Sequence, residues 1–87
     1  MKYEAVNAIL EKINVDNLKY ICFVTTVDNF EYSRYDYCDY GYKREIKIFD
    51  EIDWNPAFVC VRIRSTLECI DIDKIVAIKY RLFEEDE

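Results

Sequence analysis

A chain of 87 residues has room for one domain, and a net charge of −6 weighs against a surface built to neutralise a phosphate backbone. Half of it (52%) is apolar or aromatic, with a single Gly and a single Pro, which excludes the aromatic-poor composition of a disordered chain. There is no His, so the side chain best suited to proton transfer near neutral pH is missing, and one glycine cannot build the usual phosphate-cradling loops.

Tyr3, Val6, Ile9, Leu10 and Ile13 recur at spacings of three and four, which predicts an amphipathic helix over about 3–14. Asn14 is expected to end it in a left-handed conformation, with Val15-Asp16-Asn17 as a turn. From Leu18 to Val27 the residues are β-branched and aromatic on both faces, the pattern of a central strand covered on both sides. Asp28-Asn29 signals a turn, and 30–37 reads as a returning strand. Alternation over 43–49 predicts another strand, with Ile46 and Ile48 on one face together with Ile52. Positions 50–56 read as a loop around Trp54.

Over 58–64, Val59, Val61 and Ile63 point inward and Arg62 and Arg64 outward. A short strand over 66–72 precedes a last strand over 75–83, whose Val76, Ile78, Tyr80 and Leu82 alternate with Ala77, Lys79 and Arg81. The charge run 84–87 is a solvated acidic tail. Together these elements predict one α+β domain over 1–87: an N-terminal helix packed on an antiparallel sheet of about five strands within 18–83. Partial closure into a small barrel is the alternative. The stretch Leu67 to Ile78 resembles the strand, single helical turn and strand that end Sm-like and SH3-like barrels, which implies geometry and not function.

Four cysteines, Cys22, Cys38, Cys60 and Cys69, contain no CxxC pair, and without His they do not suggest zinc. Cys22 and Cys60 lie in apolar strand patterns and read as small hydrophobes; Cys38 is the thiol expected to be exposed. Charge interrupts the N-terminus at Met1-Lys2-Tyr3-Glu4, and the apolar runs are far shorter than the roughly 20 residues of a spanning helix. The expectation is a cytoplasmic protein without disulfides or membrane contact. Asp71-x-Asp73 matches a hard-cation pair but reads better as a solvated turn. Neither a cofactor nor an enzymatic activity is expected.

The informative stretch runs from Asp28 to Tyr42. Five of the eight tyrosines fall between positions 32 and 42, interleaved with Asp36 and Asp39. Both faces of such a strand cannot be core in so small a domain, so some of these tyrosines are expected at the surface. Tyr offers contact area with few rotatable bonds, and carboxylates among them complement a Lys/Arg-rich partner. The candidate binding residues are therefore Asp28, Glu31, Tyr32, Tyr35, Asp36, Tyr37, Asp39 and Tyr40. Trp54, in an acidic context, is a further candidate as an interface anchor; it is equally suited to plugging one end of the core. The plain structural reading is that the tyrosines cover a sheet edge.

Lys47, Arg62, Arg64, Lys79 and Arg81 form a basic stripe if their strands are neighbours. Otherwise they pair with carboxylates such as Glu45 and Glu68.

In size, charge and Tyr/Asp-rich composition the whole chain resembles small phage-encoded inhibitors of the anti-CRISPR type. That resemblance implies a basic protein partner, a nucleic-acid-binding effector such as a CRISPR nuclease complex, blocked by carboxylates standing where phosphates would sit. Two alternatives come from the residues themselves. One is a self-associating module, a homodimer joined through the aromatic segment. The other is a small barrel holding nucleic acid on the basic stripe, which the net charge disfavours.

Overall fold

Val6 and Leu10, one turn apart, are the buried stripe of helix α1 (Tyr3–Lys12), with Glu4 in its first turn and Lys12 in its last complementing the helix dipole. The computed structural model describes residues 1–34 and 47–83. The helix does not end in a left-handed Asn14 as expected. Ile13 turns extended (φ −77°, ψ 124°), which carries its side chain into the core. Asn14 stays extended too, and its Oδ1 accepts the Asp16 N–H at 3.1 Å to open a 3-10 turn, Val15–Asn17.

Among the described residues seven strands follow: β1 (Leu18–Thr25), β2 (Asn29–Ser33), β3 (Lys47–Ile48), β4 (Glu51–Trp54), β5 (Phe58–Ile63), β6 (Thr66–Asp71) and β7 (Ile75–Leu82). They form two sheets of order β3-β2-β1-β7 and β4-β5-β6, not the single sheet of about five strands that the pattern predicts. The α+β class holds. β1 is central, antiparallel to β2 and β7, and Ile21, Cys22 and Phe23 are buried in succession, so both its faces are covered as the sequence implies. The β2–β3 pairing is parallel, Tyr32 opposite Lys47.

Both tight connections of the second sheet have local causes. Asn55 Oδ1 accepts the N–H groups of Ala57 and Phe58 at 2.7 and 2.9 Å, turning β4 into β5. Arg64 opens the two-residue loop between β5 and β6 with φ 56°, the left-handed geometry such hairpins need. Within 50–56, expected to be a loop, Glu51–Trp54 is thus a strand: Ile52 is buried and Trp54 half-buried, while Glu51 and Asp53 face outward. The acidic residues hide a period of two that is present.

One core fills the space between the sheets. Ile21, Phe23 and Tyr32 of the first sheet meet Ile52, Val59, Val61 and Ile70 of the second, with Val6, Leu10 and Ile13 closing one side. Burial of each such side chain is worth roughly 1.5–3 kcal/mol before entropy. The chain passes from one sheet to the other at Phe49 and Asp50, and back at the 3-10 turn Ile72–Lys74. That turn separates β6 from β7, which do not pair, so the described residues form no closed barrel. Among the described strands β7 is an edge, and its Val76, Tyr80 and Leu82 are exposed. Among the described residues no helix is long and apolar enough to cross a membrane.

Candidate functional site

Tyr32 lies on β2 between Ile21 of β1 and Lys47 of β3, on the side that faces the core. Its ring is fully buried and meets the Phe23 ring edge-on, centroids 6.3 Å apart. A buried phenol needs a partner, and its hydroxyl donates to Glu68 Oε1 of the opposite sheet at 2.7 Å. The other oxygen of Glu68 accepts from Lys47 Nζ at 2.5 Å. A phenol, a carboxylate and an ammonium therefore join the two sheets where no backbone ladder does.

This trio floors a half-open cleft of about 210 Å³, walled by Asp28, Asn29, Phe30 and Glu31. The described residues that line it include three acidic ones, Asp28, Glu31 and Glu68, and one basic one, Lys47. Partial burial opposes ionisation of Glu68, but the hydrogen bonds from Lys47 and Tyr32, with the Lys47 charge, outweigh it and hold the carboxyl below its ordinary range. Burial raises the Tyr32 phenol well above its ordinary value, and the hydrogen bond to Glu68 and its charge add to that, so Tyr32 stays a donor.

Upstream of the cleft, Thr25 sets the hairpin end. Its Oγ1 donates to the Asp28 carbonyl at 2.7 Å and accepts the Asp28 N–H at 3.0 Å, while Asp28 Oδ1 accepts the Asn29 N–H at 2.7 Å. The position of Asp28 is thus fixed by local hydrogen bonds. Below it, Arg34 stacks over the Phe49 ring at 4.6 Å and donates to the carbonyls of Val15, Leu18 and Asp50.

Of the residues singled out from the sequence, Asp28, Glu31 and Tyr32 come together in this cleft. Tyr32 is not a surface contact, because it shares the core side of β2 with Phe30 and supplies only its hydroxyl. Tyr35, Asp36, Tyr37, Asp39 and Tyr40, with Cys38, lie outside the described residues. Trp54 is elsewhere: half-buried against the core, its indole N–H donates to Asn7 Oδ1 of α1 at 2.8 Å, the geometry of a plug.

Glu68 is the cleft residue that composition alone did not single out as a site. A signal existed: the two-residue loop after Ile63 puts Glu68 opposite Val61, hence on the inward side with Ile70. Pairing of the strand cations with carboxylates such as Glu68 is the expectation from sequence; the Lys47–Glu68 pair spans two sheets and is not a cross-strand ladder pair.

The basic stripe has no neighbouring strands to form on. Lys47 and the pair Lys79 and Arg81 sit on opposite edges of one sheet, and Arg62 belongs to the other. Asp71 Oδ1 accepts the Asp73 N–H at 3.0 Å, so Asp71-x-Asp73 caps a 3-10 turn. Among the described residues no group of three or more Cys, Asp or Glu side chains is arranged to hold a metal ion.

Comparison with protein-family models, curated proteins and solved structures gives no match.

Proposed function

We propose that this chain is a protein-binding module that seats a Lys or Arg side chain of a basic partner in the cleft at the β1–β2 end. The observation that supports this reading most is the charge of the cleft. Three acidic residues line it, and Lys47, the one basic residue among its described lining, pairs with Glu68. A concave site of this volume admits one long cationic side chain, and Asp28 and Glu31 at its wall stand on strand and turn backbone that is held in place. A net charge of −6 steers a basic surface toward it.

A partner surface rich in Lys and Arg is what a nucleic-acid-binding protein offers, and a module docked there excludes the phosphates. The reading is therefore of a steric and electrostatic inhibitor, in line with the phage-encoded inhibitors the composition resembles. The experiment is capture by the tagged chain from nuclease-treated bacterial lysate expressing candidate nucleoprotein effectors, followed by elution with added DNA. Capture of a nucleic-acid-binding protein that DNA displaces, and that the Asp28→Lys/Glu31→Lys variant loses, supports the reading. Capture indifferent to both DNA and the variant counts against it.

A second reading has its own support. Among the described strands β7 is an edge with Val76, Tyr80 and Leu82 exposed, the last two at 42% and 38%, a surface suited to a second copy of the chain. Mass in solution that rises with concentration, and that Val76→Lys suppresses, favours it.

A further inference from the structure

Cys60 and Cys69 are nine positions apart and stand directly opposite each other on β5 and β6, with Sγ atoms 3.2 Å apart. Their backbone class follows from the neighbouring hydrogen bonds. Asn55 N–H donates to the Phe58 carbonyl at 2.9 Å, so along β5 the even positions turn their backbone groups toward β4. Cys60 is one of these, which makes Cys60/Cys69 a non-hydrogen-bonded pair, the class with the closest side chains and Cα atoms about 4.5 Å apart. A disulfide requires about 4.4–6.8 Å. Val59, Val61 and Ile70 fill the inward side, so both thiols lie on the outer face, Cys60 half-buried and Cys69 exposed. Cys60 is therefore not the core hydrophobe its apolar neighbours suggest.

We propose that Cys60 and Cys69 are a reversible modification site, a dithiol that a low-molecular-weight disulfide such as oxidised glutathione converts to a cross-strand disulfide. This stands apart from the cleft and does not depend on it. Cys69 reacts first, because it is exposed and because burial, the hydrogen bond to Cys69 and the charges of Cys69 and Asp53 push the Cys60 thiol up to about 11. The Cys69 thiolate attacks one sulfur of oxidised glutathione, the oxidant's S–S bond breaks, and one glutathione leaves. Cys60, giving up its proton, then attacks Cys69 Sγ and displaces the second glutathione. Two cysteine thiols are oxidised to one disulfide, one glutathione disulfide is reduced to two thiols, and the protons pass to the departing thiolates. The new bond fastens β6, the strand that carries Glu68, to β5.

The test is non-reducing tryptic mapping of the full chain after equilibration in native buffer with oxidised or reduced glutathione. Cleavage after Lys47, Arg62, Arg64 and Lys74 puts the cysteines in different peptides, 48–62 and 65–74. The expected result is that these two peptides run as one linked species in oxidised glutathione and separate in reduced glutathione. The oxidised chain melts higher than the reduced chain, and Cys69→Ser abolishes both the linked species and that shift. A glutathione adduct on Cys69 that never resolves, a linkage to Cys22 or Cys38 in its place, or free thiols throughout would each overturn the proposal.

Discussion

The Tyr32 hydroxyl reaches across the core to Glu68 at 2.7 Å, tying the inner face of one sheet to the inner face of the other. Tyr32→Phe keeps the ring packing against Phe23 and deletes only this bond. A hydrogen bond to a charged acceptor contributes about 1.5–3 kcal/mol, and the variant is expected to lose that much in urea unfolding. Glu68→Ala removes the acceptor for both Tyr32 and Lys47, and is expected to cost at least as much.

Stability should fall at both ends of the pH scale, for opposite reasons. The Glu68 carboxyl is held below its unperturbed value of 4.5, so its contribution is complete above that value and is lost as pH falls through the lower folded-state value. The Tyr32 phenol is raised, so its contribution is complete below its unperturbed value of 10.0 and fades as pH climbs above it. Thermal melting from pH 2 to 11 tests both limbs. Glu68→Gln is expected to flatten the acid limb, and Tyr32→Phe the alkaline one.

Trp54 is the only tryptophan, and its indole N–H donates to Asn7 Oδ1. Its fluorescence therefore reports the docking of α1 on β4. Trp54→Phe and Asn7→Ala are each expected to destabilise by about 1 kcal/mol beyond any change in packing, and the double variant by less than their sum. Additive losses would show that the bond contributes nothing.

Arg34 donates to three carbonyls, those of Val15 in the 3-10 turn, Leu18 just after it and Asp50 between the sheets, while its guanidinium lies over Phe49. A lysine ammonium cannot match that planar fork. Arg34→Lys is therefore expected to cost about 1–2 kcal/mol by chemical denaturation, despite keeping the charge. A loss near zero would mean that water serves these carbonyls equally well.

How far the sequence reaches depends on where each signal is local. Helix α1, the central strand β1 and the inward Val59 and Val61 of β5 are written in spacing that neighbouring residues decide, and they appear as expected. β4 is hidden because Glu51 and Asp53, its outward positions, carry the composition of a turn. The split into two sheets is not legible, because it depends on which strands find each other through the core. The same holds for the cleft. Asp28 and Glu31 stand out as acidic residues beside tyrosines, but Lys47 and Glu68 reach them only through pairings set by the whole fold. Cys60 and Cys69 meet through the register of one hairpin, which hinges on a left-handed Arg64 that no glycine announces.

The proposed function requires the cleft to accept a cationic side chain. Its most direct test is an NMR titration of the full chain with a short arginine-rich peptide at low and high salt. The expected result is amide shifts concentrated at Asp28–Tyr32, Lys47 and Glu68, weakened by salt and absent in Asp28→Lys/Glu31→Lys. Shifts confined to β7, or none at low salt, would contradict it.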